Sequence, residues 1–132
     1  AGLRLDAQAA LDYVTEDPLL SKLPIIIFGQ SLGGAVAIDV ASANVAKISA
    51  LIVENTFTSL TDAMRWRVPP LGLIFSIIWP RKWVSKTKVA KMPAALPMLF
   101  LSGAKDNVIA QSIMKDLCKA ARMRESANTE DD

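Results

Sequence analysis

The sequence predicts an α/β fold in which short buried strands of one parallel sheet alternate with helices. Three observations carry this reading. Ile25 to Phe28 is an apolar, β-branched run of strand length, and a small-residue helical pattern begins just beyond it. Ile48 to Val53 (Ile-Ser-Ala-Leu-Ile-Val) and Pro97 to Ser102 (Pro-Met-Leu-Phe-Leu-Ser) are two more runs of the same kind. Helix-compatible stretches precede the first run and follow the first and third, an order suited to an open parallel sheet.

Taken in order, Ala1 to Val14 reads as an amphipathic helix, with Leu3, Leu5, Ala9, Leu11 and Val14 set among Arg4, Asp6, Gln8 and Asp12. Glu16-Asp17-Pro18 breaks it, and Ser21 to Pro24 links it to the first strand. The next helix runs to about Ala43, and Asn44 to Lys47 is a turn. The second strand ends at Glu54-Asn55-Thr56-Phe57, and strand C-terminal ends are where an open parallel sheet presents functional groups. Residues 58–93 are irregular: Thr61 to Trp66 suits a short helix, Val68-Pro69-Pro70 stops it, and Leu71 to Trp79 is apolar. That apolar segment is too short to span a bilayer. It reads as a packed cap or lid. A membrane-facing or acyl-chain-binding surface is the alternative, since Trp79 and Trp83 lie beside Arg81, Lys82, Lys86 and Lys88. After the third strand, Gly103 to Asn107 is a loop, Gln111 to Ala121 fits a helix, and residues 122–132 read as a disordered tail. The organisation expected is one domain over residues 1–121, an insertion at 58–93, and helices on both faces of three strands.

Composition narrows the function classes. The chain has 132 residues, 52% of them hydrophobic, and a net charge of +2, which makes no case for a nucleic-acid partner. A lone cysteine, Cys118, forbids an internal disulfide and suits a reducing, intracellular setting. It reads as an ordinary apolar helix residue. No run of 18 apolar residues occurs, and nothing points to a metal or a cofactor. A start at Ala1 without Met suggests a fragment or a processed product.

The chemistry concentrates at Gly29-Gln30-Ser31-Leu32-Gly33, a G-x-S-x-G sequence set between a strand and a helix. Three fixed positions match by chance in roughly 4% of chains this long, so the flanks decide the matter. Here they supply the strand, tight turn and helix that a nucleophile elbow needs. The elbow strains its serine, so Gly29 and Gly33 are expected to avoid collisions there, and Gly34 to let the helix pack closely. The helix N-terminus then directs free N–H groups at the place where an oxyanion would form at Ser31. Against this stands one absence: the sequence contains no histidine, the usual base for such a serine.

The run Gly29 to Ile38, together with Val53-Glu54-Asn55-Thr56-Phe57 and Ser102-Gly103-x-x-Asp106-x-x-Ile109, resembles the alpha/beta hydrolases of the alpha/beta hydrolase domain-containing protein 13 (Bem46-like) group. The resemblance covers roughly Gly2 to Lys119. It implies a partial alpha/beta-hydrolase fold, equivalent to strands five to seven of the usual eight. It implies a serine hydrolase of carboxylic esters or thioesters, with lipid or acyl-protein substrates. By position, Ser31 would be the nucleophile, Asp106 the acid, and the Leu32 backbone N–H half of the oxyanion hole. Glu54, which also follows a strand, is the alternative acid, and Asn55 and Thr56 shape the turn. The family's histidine follows a further strand, its second oxyanion donor precedes Gly29, and its N-terminal membrane anchor is likewise outside these residues. Ala110 stands where the family often has proline. Two readings follow. The chain is the central piece of a hydrolase whose chemistry belongs to a longer, membrane-associated protein. Alternatively it is a shortened, catalytically incompetent product that acts as a binding module, or self-associates, through an exposed sheet edge.

Overall fold

The computed structural model describes residues 2–59 and 84–127. Helix α1 (Gly2–Glu16) leads through a 3-10 turn (Leu20–Lys22) into strand β1 (Ile26–Gln30), and helix α2 (Leu32–Ala43) follows after one residue. A second 3-10 turn (Val45–Lys47) precedes β2 (Ala50–Glu54); helix α3 (Ser85–Lys91), β3 (Met98–Leu101) and helix α4 (Gln111–Ala127) complete the order. The three strands form one parallel sheet in the order β1-β2-β3, as expected.

Register explains what is buried. Ile27 pairs with Leu51 and Leu51 with Met98, while Val53 pairs with Gly29 and Phe100, so these residues share one face. Leu51 and Val53 are fully buried there, in a core with Ile38 and Val40 of α2, Val89 of α3, and Met114 and Leu117 of α4. The opposite face carries Ile26, Phe28, Leu99 and Leu101, which are 55%, 58%, 50% and 39% exposed. The expectation of helices on both faces is therefore corrected: the described helices cover only one. Strand order supplies the reason. The sheet advances in a single direction, β1 to β2 to β3, and right-handed crossovers that all step the same way leave their helices on the same side.

Helix α1 docks on α2 through apolar contacts and a reciprocal amide pair. Asn44 donates to Gln8 Oε1 (2.8 Å), and Gln8 donates back to Asn44 Oδ1 (3.2 Å). A charge cluster ties three helices together. Asp39 of α2, 5% exposed, meets Lys88 of α3 on one carboxylate oxygen and Arg4 Nε of α1 on the other. The Arg4 contact, at 2.8 Å, is an ion pair without hydrogen-bond alignment. Burial, with the nearby Arg4 charge second, holds the Lys88 ammonium below the usual lysine range.

Two elements depart from the sequence reading. Helix α3 stands where irregular chain is expected. Helix α4 runs six residues past the expected end at Ala121, into the segment read as a disordered tail. Its extension is held by Arg124, which is 8% exposed and donates to the carbonyls of Ala121, Pro93 and Leu96. The cap expected within residues 58–93, including Leu71 to Trp79 and Trp83, falls mostly outside the described residues. Thr58 and Lys86, one on each side of the undescribed residues, are adjacent: the Lys86 N–H donates to the Thr58 carbonyl at 3.3 Å.

Candidate active site

A tight turn joins strand to helix at Ser31. Ser31 joins β1 to α2 with φ 51° and ψ −121°, a left-handed conformation that an L-residue adopts only under strain. Its N–H donates to the Glu54 carbonyl (3.0 Å), and its own carbonyl accepts from the Gly34 N–H (3.1 Å) and the Thr56 hydroxyl (2.7 Å). Ser31 occupies the N-cap position of α2, yet its side chain makes no capping hydrogen bond and is exposed. Leu32 begins α2, so its N–H is one of the first-turn donors the helix leaves unpaired.

The glycines divide differently from expectation. A Cβ on Gly29 would lie 2.3 Å from the Gly33 carbonyl oxygen and 2.7 Å from Ala37 Cβ. A Cβ on Gly34 would lie 2.5 Å from Thr56 Cβ, so this glycine brings α2 against the tip of β2. At Gly33, by contrast, an added Cβ meets nothing within 4 Å among the described residues. The demand for glycine at position 33 is therefore corrected. The close approach is made by the Gly33 backbone against Gly29, and among the described residues the space a Gly33 side chain would take is open.

The loop that carries Asp106 is held by the same strand tip. Asn55, with φ 42°, donates its N–H to the Leu101 carbonyl (3.0 Å), and its Oδ1 accepts from the Gly103 N–H (2.8 Å). Gly103 opens the loop that carries Asp106. Asp106, half-buried, accepts the N–H groups of Val108 (2.7 Å) and Ile109 (2.9 Å) on Oδ1. Its Oδ2 has no hydrogen-bond partner among the described residues. Consecutive residues at the end of β2 thus anchor both loops, the Ser31 turn through Thr56 and the Asp106 loop through Asn55. Parallel strands lie about 4.8 Å apart, so the ends of β1 and β3 are separated by roughly 10 Å. Ser31 and Asp106 both follow C-terminal strand ends and so share one rim of the sheet. Glu54, half-buried, offers its backbone carbonyl to Ser31. Among the described residues no group of His, Cys, Asp and Glu could hold a metal ion.

Sequence reasoning assigned Asn55 and Thr56 to shaping a turn; their separate tasks emerge only from the structure. The positive φ of Asn55 had a usable signal, since asparagine tolerates that region better than most residues. The Thr56 hydroxyl had none. Asp39 was signalled by its place in an otherwise apolar helix, Ala35 to Ala41, where a charge needs partners.

Comparison with known proteins fits this geometry. The Hydrolase_4 family, described as serine aminopeptidase, S33, matches residues 3–95. Protein bem46 of Schizosaccharomyces pombe is 42% identical over 94% of this chain. The alpha/beta hydrolase domain-containing protein WAV2 of Arabidopsis thaliana is 34% identical over 93% of it. A Saccharomyces cerevisiae protein described as an uncharacterized membrane protein, YNL320W, is 33% identical over 88%. The chain spans 42%, 43% and 40% of the lengths of these three relatives. No solved structure gives a significant match. No described helix is long and apolar enough to cross a membrane. A strained serine between strand and helix, a parallel sheet, and these relatives converge: the chain belongs to the alpha/beta hydrolases, in the Hydrolase_4 family and the Bem46-like group.

Proposed function

We propose that this chain is the nucleophile-bearing part of a serine hydrolase that cleaves carboxylic esters or thioesters, with lipid or acyl-protein substrates. The observation that carries the reading is Ser31: a strained, exposed turn residue whose side chain makes no capping hydrogen bond, beside a helix-start N–H with no partner among the described residues. In the proposed reaction, Ser31 Oγ attacks the acyl carbon and gives its proton to an imidazole. The carbonyl oxygen becomes an oxyanion that the Leu32 N–H and the positive end of α2 stabilise. Collapse of the tetrahedral species expels the alcohol or thiol, which takes the proton, and leaves an acyl-serine. Water, deprotonated by the same imidazole, then releases the acid. In this reading Asp106 orients the imidazole, which must come from outside these histidine-free residues. Without that base a serine triad loses on the order of a millionfold in turnover, so these 132 residues alone are expected to be inactive. Membrane association belongs to the same proposal, supported by the description of the yeast relative.

The test is hydrolysis of p-nitrophenyl esters by the native protein at the length at which it occurs. Turnover that disappears in Ser31→Ala supports the reading, and turnover that survives it refutes it. A second reading, in which these residues act as a binding or self-association module, draws on the exposed face of Ile26, Phe28, Leu99 and Leu101 and on the edge of β1, which pairs with no other strand than β2 among the described residues. It predicts concentration-dependent association of the 132-residue chain in sedimentation, and a monomer at all concentrations would count against it.

A further inference from the structure

We infer that Thr56 is a positioning residue for the oxyanion donor of Leu32; the inference rests on the serine-hydrolase reading above. A trans peptide is planar, with its C=O and the following N–H pointing in opposite directions. The carbonyl of Ser31 and the N–H of Leu32 belong to one such plane, so whatever fixes the carbonyl aims the N–H. Two groups hold that carbonyl: the Gly34 N–H at 3.1 Å and the Thr56 hydroxyl at 2.7 Å. The torsion that turns this plane is ψ of Ser31, which stands at −121° with φ at 51°, a combination the backbone does not favour unaided. The restraint must come from outside the turn, and the Gly34 bond is local to the first turn of α2.

Thr56 is built to supply it. The residue is fully buried, and its N–H donates to the Met114 sulfur on α4 at 3.2 Å. Its Cβ sits so close to Gly34 that a side chain there would lie 2.5 Å away. The hydroxyl is thus held between the end of β2, α4 and the start of α2, with no freedom to drift from Ser31. Neither carboxylate in the candidate site is touched. The effect of Thr56 on the reaction would pass entirely through the direction of one N–H group, where a displacement of about 1 Å costs on the order of a hundredfold.

The experiment compares Thr56→Val and Thr56→Ser in the native protein, with Ser31→Ala as control, by p-nitrophenyl ester kinetics, fluorophosphonate labelling rate and thermal midpoint. Valine keeps the bulk and removes the donor; serine keeps the donor and removes a methyl. With Ser31→Ala inactive, the expected result is a kcat about 10- to 100-fold lower in Thr56→Val with KM within about twofold, a parallel fall in labelling rate, and recovery of both in Thr56→Ser. The thermal midpoint shows whether each variant is folded at the assay temperature, and Thr56→Ser decides the matter should valine prevent folding. Unchanged kcat in Thr56→Val, or loss of activity in a folded Thr56→Ser, overturns this inference and leaves the nucleophile reading standing. Activity that survives Ser31→Ala, or no labelling of Ser31 in the unsubstituted protein, overturns both.

Discussion

Gly29 and Gly33 flank Ser31 symmetrically in sequence, yet alanine is expected to act oppositely at the two positions. At Gly29 the new methyl would stand 2.3 Å from the Gly33 carbonyl oxygen, 2.6 Å from its carbon and 2.7 Å from Ala37 Cβ. None of these atoms can swing away, since two are helix backbone and the third is a Cβ. Ordinary contact begins near 3.4 Å, so the start of α2 would have to retreat by about 1 Å from β1. Overpacking of this kind costs about 1–3 kcal/mol, and the retreat would also loosen buried Ala35 and Ala37. The lower entropy of an unfolded chain bearing alanine returns about 0.4–1 kcal/mol, leaving a net loss of about 1–2 kcal/mol. At Gly33, which lies within α2, the methyl meets nothing within 4 Å among the described residues, so only the favourable terms remain, and stability should rise by about 0.5–1 kcal/mol. With a urea slope of about 2 kcal/mol per molar, the denaturation midpoint should fall by about 0.5–1 M in Gly29→Ala and rise by about 0.3–0.5 M in Gly33→Ala. Equal shifts in the two variants would refute this account of how strand and helix meet.

Asp39→Ala should lower stability by about 1–2 kcal/mol in the same assay. That is less than the usual cost of breaking a buried pair, because the stranded Arg4 and Lys88 side chains are 58% and 35% exposed and can reach water. The N–H groups of Leu20 and then Leu19 hold the Asp17 carboxyl below its ordinary 3.8, so it stabilises the folded state above that pH. This contribution is lost as pH falls through the depressed value, and Asp17→Asn should flatten the acid side of a thermal-midpoint profile; an unchanged slope would contradict the assignment. In the native protein, Asp106→Asn should cut ester turnover by about a thousandfold or more, whereas an unchanged rate would transfer the acid's role to Glu54.

How much of this was legible depends on where each cause lies. The strand, the tight turn at Ser31 and the helix after it could be read because their determinants are adjacent: Ile25 to Phe28, three fixed residues, then Gly34 to Ala41. The three strands could be read from their apolar runs. Which face would be covered could not, because it follows from strand order, which the spacing of apolar residues does not encode. Helix α3 escaped notice because Ser-Lys-Thr-Lys-Val-Ala-Lys has almost no apolar period; one fully buried Val89 docks it. The last turns of α4 depend on carbonyls some 30 residues upstream that satisfy Arg124. The site divides in the same way. Ser31 and Asp106 lie in recognisable local patterns, whereas the bonds from Thr56 to Ser31 and from Asn55 to Gly103 join segments 25 and 48 residues apart.

The measurement that tests the central claim most directly is the mass of the native protein after reaction with a fluorophosphonate, followed by peptide mapping. The account predicts a single adduct on the peptide that contains Ser31, and none in Ser31→Ala. An adduct on another residue, or an unmodified protein, would contradict it.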